Sequence, residues 1–182
     1  MLSLDATYRP LLEAVSFAAR AHHGQLRKDG RTPYASHVFR VCLVVRHVFG
    51  LDDPTLLTAA LLHDTVEDTT TDFDDVAEKY GPEVATWVAF LSKDKRLPDA
   101  EREERYRKTL ADAPWQVKAC KLADVFDNLL DSQHLDKEKR RRTVARSRYY
   151  VDALDEPKLP ANVQAALQLV RQLLTEVENT LA

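Results

Sequence analysis

The sequence predicts an all-α bundle of about eight to ten helices in a single domain spanning 1–182. Three observations carry that expectation. Only four glycines occur in 182 residues, β-branched alternation is missing nearly everywhere, and apolar residues recur at helical spacing from one end to the other. At 45% hydrophobic and 30% charged residues the composition is that of an ordinary globular protein. A chain of this length can bury roughly 70% of its unfolded surface.

The elements follow in order. Tyr8, Leu11, Leu12, Val15, Ala18, Ala19 and His22 fall at i, i+3, i+4 spacing and predict a first helix that stops at Gly24. A loop from His23 to Tyr34 has a basic centre, Arg27-Lys28, between two glycines. Thr32-Pro33 reads as cap and first residue of a second helix, with Val38, Val41, Cys42, Val45, Val48 and Phe49 as its core stripe and His37 one turn before Val41. Asp53-Pro54-Thr55 opens a third helix running unbroken to Asp68. Short helices are expected over Asp72 to Tyr80 and Glu83 to Leu91, the second burying Val84, Trp87, Val88 and Leu91. Ser92 to Pro98 is a charged turn, and Asp99 to Leu110 a charged, solvated helix. Ala113-Pro114 opens a helix that aligns Val117, Cys120, Asp124 and Asn128. Asp136 to Leu154 is a helix with a basic exposed side. The core is expected over about 10–155, followed by a C-terminal helix over about 160–181. There Val163, Leu167, Val170, Leu174, Val177 and Leu181 form a heptad-like stripe, which either packs on the bundle or forms the seam of a homodimer.

Bulk properties exclude several classes. A net charge of −3 argues against a general nucleic-acid binder. No apolar run approaches a membrane span, and Asp5, Arg9 and Glu13 interrupt the start of the chain, so no leader is expected there. Cys42 and Cys120 sit in apolar helical patterns and read as buried free thiols, consistent with a cytoplasmic protein.

Chemistry is concentrated in the third helix. Its first two thirds are apolar, and its end carries His63, Asp64, Glu67 and Asp68. Glu67 follows His63 by four residues and Asp68 follows Asp64 by four, a spacing that stacks side chains on one helix face. Such groups beside an apolar stretch need partners. A metal ion suits a neutral imidazole next to a carboxylate, whereas a helix end facing water would need none. One helix can supply only part of a ligand set. His37 on the second helix and Asp124 in Leu122-Ala123-Asp124-Val125-Phe126 are candidates for the rest.

The order H…HD…D is the ligand pattern of the HD superfamily of metal-dependent phosphohydrolases. Over about residues 10–155 the chain resembles the alarmone hydrolases of the RelA/SpoT type, especially the stand-alone small ones. The resemblance is carried by His23-Gly24-Gln25-Leu26-Arg27-Lys28 with Pro33-Tyr34 and His37, and by Ala60-Leu61-Leu62-His63-Asp64-Thr65-Val66-Glu67-Asp68-Thr69. Further along it rests on Asp94-Lys95 with Leu97-Pro98, and on Lys121-Leu122-Ala123-Asp124 with Asn128. It implies an HD-type bundle with one Mn²⁺ held by His37, His63, Asp64 and Asp124. Glu67 and Asp68 would orient or deprotonate the attacking water. The implied substrate is ppGpp, pppGpp or a relative, cleaved to GDP or GTP and pyrophosphate. Arg27 and Lys28 would hold a pyrophosphate, Tyr34 would lie near the nucleoside, and Asn128 would reach the ribose. Lys95, Arg146 and Tyr150 are further substrate contacts.

Two positions depart from the family pattern. Val125 stands where a basic residue usually follows the last Asp, and Asp127 replaces a more common His or Tyr. Both leave base preference open, so an adenine alarmone such as pppApp is a possible substrate. The rival readings are another HD phosphohydrolase (a nucleotidase or an NADPH phosphatase) and a non-catalytic nucleotide sensor. Two-metal phosphodiesterases need further histidines before the final Asp, and none occurs between Asp64 and Gln133. No synthetase half accompanies these motifs, so hydrolysis is expected to be unopposed within the chain.

Overall fold

The computed structural model describes residues 8–181; Asp5, read above against a leader, lies outside them. Among the described residues there are ten α-helical segments: α1 (Tyr8–Ala21), α2 (Ala35–Leu43), α3 (Pro54–Leu62), α4 (Thr65–Asp68), α5 (Phe73–Tyr80), α6 (Pro82–Leu91), α7 (Asp99–Ala111), α8 (Trp115–Asp131), α9 (Lys137–Leu154) and α10 (Ala161–Asn179). None is long and apolar enough to cross a membrane.

The central element is α3. Asp53 caps it by accepting the amides of Thr55 at 2.8 Å and Leu56 at 3.1 Å, and Pro54 occupies the first turn, where its missing N–H costs nothing. Every residue from Leu56 to Leu62 is buried. Helices α1, α2, α6 and α8 surround it, so the apolar run is a helix core on all sides rather than an amphipathic face. Asp72 begins α5 with a reciprocal capping box to Asp75. The solvated helix α7 is anchored by Tyr106 and Leu110. All six residues of the C-terminal stripe are buried, and α10 lies against α8 and α9. The stripe is therefore used inside the chain and supplies no dimer seam.

The structure corrects four expectations. First, Thr32-Pro33 does not start α2. Asp29 takes the Thr32 amide at 2.9 Å and hydroxyl at 2.6 Å, and the Thr32 carbonyl accepts the Arg27 amide at 2.8 Å. Pro33 is drawn into a β-bridge with Leu26, and the helix starts at Ala35. Second, α2 runs into a π-helical turn, Val44–Val48, closed by the Phe49 amide on the Val44 carbonyl at 2.9 Å. The wider turn shifts the register, which buries Phe49 and leaves Val48 49% exposed. Third, Leu12 is 57% exposed, and Cys42 is only half-buried, while Cys120 is fully buried and both thiols are free. Fourth, the third predicted helix is broken at His63-Asp64 and resumes as the single turn α4.

Candidate metal centre and nucleotide cavity

The break between α3 and α4 builds the site. Asp64 sits at φ −102°, ψ −3°, in the sparsely populated bridge region, so the chain turns there with the first acid exposed to its neighbours. The carbonyls orphaned at the end of α3 are taken up locally. His63 Nδ1 donates to the Ala60 carbonyl at 2.8 Å and Thr65 Oγ1 to the Leu62 carbonyl at 2.7 Å. That hydrogen bond puts the His63 lone pair on Nε2, facing away from the helix.

His37 from α2 and Asp124 from α8 meet it. Nitrogen or oxygen donors of His37, His63 and Asp124 lie within 4.8 Å of one another, and all three residues are buried. Asp64 Oδ2 borders this group, 2.9 Å from His63 Nε2 and 3.4 Å from His37 Nε2. His37 Nε2 is 3.1 Å from Asp124 Oδ1. Both Nε2 atoms are nevertheless buried without a hydrogen-bond partner. An unpartnered imidazole nitrogen in the interior costs free energy. Two of them beside two carboxylates form a mixed N/O donor set that fits a divalent cation. The field points the same way. Burial alone would lower the His37 pKa, but the carboxylates of Asp124, Asp127 and Asp64 around the ring push it up to about 10. Burial would raise Asp124, and the Lys121 ammonium and His37 hold it well below the usual carboxylate range.

Partners behind the donors fix their orientation. Tyr34 Oη donates to Asp64 Oδ2 at 2.6 Å; burial and the Asp64 charge push its phenol far above the ordinary range. Lys121 Nζ donates to Asp124 Oδ2 at 2.6 Å and Asn128 Nδ2 to Asp124 Oδ1 at 2.5 Å. His37 Nδ1 lies 2.7 Å from Asp127 Oδ2. Asp127 also pairs with Arg27 at 3.0 Å and Arg40 at 2.5 Å, and Arg27 reaches Asp131 at 3.0 Å. Replacing Asp127 by Asn is expected to weaken divalent-metal affinity about 10- to 100-fold, measured by calorimetric titration with Mn²⁺. Unchanged affinity would mean that the carboxylate only packs.

The donors open into a cavity of about 230 Å³ that includes Lys28, Tyr34, Asp64, Glu67, Lys93, Lys121, Asp124, Val125, Asn128, Arg146 and Tyr150 in its lining. Of the predicted substrate contacts, Lys28, Tyr34, Asn128, Arg146 and Tyr150 are in this wall. Arg27 and Lys95 are not. Arg27 is buried and committed to Asp127 and Asp131, with its guanidinium 5.7 Å from the Tyr34 ring centre, so it braces the site from behind. Lys95 pairs with Asp68 at 2.6 Å. Glu67 lines the cavity and Asp68 does not. Successive helical residues point about 100° apart, so one turn cannot aim both acids inward. Glu67 accepts the Lys93 amide at 2.9 Å, and burial raises its pKa against the pull of that hydrogen bond. A wider groove of about 730 Å³ beside Leu12, Phe17 and Tyr80 holds no such donor cluster.

Sequence reasoning passed over Lys93 and Lys121 as site residues, and it set Asp127 beside the nucleoside, whereas Asp127 lies behind His37 and outside the cavity wall. For Lys121 a signal existed: a lysine inside the buried run Val117–Val125, three residues before Asp124. It lies 5.2 Å and 4.8 Å from the ring centres of Tyr106 and Tyr150. Asp127 was visible as an acid one turn beyond Asp124, but its partner His37 is ninety residues away in sequence. Lys93 contributes through its backbone, which no side-chain pattern reveals.

An all-α bundle with His and HD donors on α2 and the α3–α4 break, completed by Asp124 on α8, defines an HD-domain protein, and the HD-domain family model matches residues 14–151. The chain belongs to that family, on its alarmone-hydrolase branch. It is 40% identical over 138 residues to the guanosine-3′,5′-bis(diphosphate) 3′-pyrophosphohydrolase MESH1 of Xenopus tropicalis, covering 75% of this chain and 76% of that one. With MESH1 of Homo sapiens it shares 43% identity over 122 residues, 66% of this chain and 68% of the other. A solved structure described as a metazoan ortholog of SpoT that hydrolyzes ppGpp superposes with a TM-score of 0.80 at 34% identity, covering 90% of this chain and 95% of that one.

Proposed function

We propose that this protein is a Mn²⁺-dependent hydrolase of the 3′-pyrophosphate of ppGpp or a related alarmone, releasing GDP, GTP or the adenine counterpart and pyrophosphate. One observation carries the reading. Two buried, unpartnered imidazole nitrogens converge with Asp64 and Asp124 at a cavity walled by Lys28, Lys93, Lys121 and Arg146, in a chain of this family. His37, His63, Asp64 and Asp124 would hold the ion. When bound, a divalent ion supplies charge stabilisation to phosphoryl oxygens and lowers the pKa of a water.

The chain's own groups do the rest. Glu67, fixed by the Lys93 amide and raised by burial, accepts a proton from the attacking water. Asp68, held by Lys95, positions α4 rather than touching substrate. Lys28, whose ammonium donates to Asn128 Oδ1 at 2.9 Å, and Arg146 neutralise phosphates. Asn128 and Tyr150 contact the nucleoside. Val125, in the cavity wall, removes a cation where the family usually has one, which favours testing adenine alarmones beside guanine ones. The whole of 1–182 acts as one domain, a reading supported by α10 packing on α8 and α9. A cytoplasmic setting is part of the same proposal, supported by two free thiols.

The test is product analysis by anion-exchange chromatography of ppGpp, pppGpp, pppApp and NADPH incubated with the protein, with and without Mn²⁺. Metal-dependent release of pyrophosphate from an alarmone is expected. Turnover of NADPH alone would assign the site to a phosphatase, and no turnover of any of them to a sensor.

A further inference from the structure

The cavity is small for the substrate class just proposed. Pockets that enclose a drug-sized ligand run to about 300–1,000 Å³, and this one has about 230 Å³. A nucleoside carrying two phosphate chains must therefore project beyond it. The structure offers one continuous direction for that projection. A second concavity, of about 380 Å³, is lined by Lys28, Leu135, Lys139, Arg142, Thr143 and Arg146. It shares Lys28, Thr143 and Arg146 with the first, so the two spaces meet along those residues.

The lining of this outer groove follows from the register of α9. Positions 139, 142, 143 and 146 fall on one helix face, and 147 and 150 continue that face into the inner cavity. From Arg146 back to Lys139 is seven residues, about 10 Å of helix axis, stepping outward from the reaction site. Four of the six lining residues are cations and none is a carboxylate. Two of the cations are lightly held. Lys139 pairs with Asp136 at 3.2 Å and Arg142 pairs with Glu138, in each case between exposed side chains, and such surface pairs are worth little. A phosphate can take those cations over at small cost. Among the described residues Arg146, at the junction, has no carboxylate partner within salt-bridge distance.

We propose that the groove of Lys139, Arg142 and Arg146 is the subsite for the 5′-polyphosphate of the substrate, and that it makes the enzyme favour a 5′-triphosphate over a 5′-diphosphate. This rests on the alarmone-hydrolase reading. Asp64, Asp124 and Glu67 line the inner cavity, so the 3′-pyrophosphate is cleaved there. The other phosphate chain leaves past Lys28 and Arg146, its α- and β-phosphates at the junction and its γ-phosphate against Arg142 and Lys139. These residues bind and do not react.

The test compares pppGpp with ppGpp in steady-state kinetics, using the wild-type protein and the double variant Lys139→Gln/Arg142→Gln. The expected result is a rise in KM for pppGpp of about tenfold, a rise for ppGpp of about threefold or less, and unchanged kcat for both. The wild-type preference should also shrink as salt rises, because an exposed groove is screened. Lys137→Gln/Lys158→Gln, which removes the same net charge outside the groove, should leave both substrates unaffected. Equal losses for the two substrates, or equal effects of the control pair, would mean general attraction of anions and overturn the subsite. Unchanged kinetics in the groove variant would overturn it as well, with the hydrolase reading intact. A wild-type protein that cleaves neither substrate would overturn both.

Discussion

His63→Ala and Asp64→Ala are each expected to abolish Mn²⁺ binding and alarmone hydrolysis together. These residues form the α3–α4 break, and in the proposed ligand set each would give the ion one atom. His63 Nε2 is buried and unpartnered; Asp64 Oδ2 lies within reach of both imidazoles and the Tyr34 hydroxyl. Losing the ion removes several kcal/mol of charge stabilisation, about 10³-fold or more in rate. Folding is the competing explanation. His63→Ala also frees the Ala60 carbonyl, a loss of about 1–3 kcal/mol. Thermal melts with and without Mn²⁺ separate the effects: the wild type should gain stability as metal is added, and the variants should melt cooperatively with no gain. A variant that still binds Mn²⁺ with wild-type affinity would remove its residue from the ligand set.

Glu67→Gln should do the opposite, keeping the metal and losing turnover by about 10²–10⁴-fold. Glutamine is nearly isosteric and can still accept the Lys93 amide, so the loop stays in place while the proton acceptor disappears. The pH profile adds a second readout. Burial raises the Glu67 carboxyl above the ordinary value of about 4.3. A base works only when deprotonated, so activity should fall as pH drops through that raised value, with the acid limb of kcat/KM lying above the usual glutamate range. In Glu67→Gln the residual rate should lack that limb. A variant with normal turnover, or an unchanged limb, would hand the role to another group.

The parts of the site legible in the sequence are those where residue type decides the matter. His63-Asp64 after a run of seven buried residues, and Asp124 within an apolar helix, are chemically expensive without a partner, and that expense is visible in one dimension. The helix boundaries were also largely readable, because Asp53, Asp72 and Asp136 announce their caps. What could not be read depends on backbone geometry or distant pairing. Continuous helical spacing gives no sign that the chain turns at His63-Asp64, and it wrongly turned both Glu67 and Asp68 toward one face. Arg27 looked like a phosphate ligand because its partners, Asp127 and Asp131, lie about a hundred residues away. The π-helical turn that exposes Val48 interrupts a stripe whose apolar spacing is helical on both sides.

The placement of α10 bears on how much of the chain the site needs behind it. It contributes no residue to either the cavity or the groove, yet it rests on the back of α8, the helix that delivers Lys121, Asp124, Asp127 and Asn128. A piece ending near 155, long enough to contain every motif, would leave α8 with a bare apolar back, free to shift or to seek cover from another copy. In a molecule trimmed this way, failure to hydrolyse would report on a missing support beam and say nothing about the chemistry in front of it.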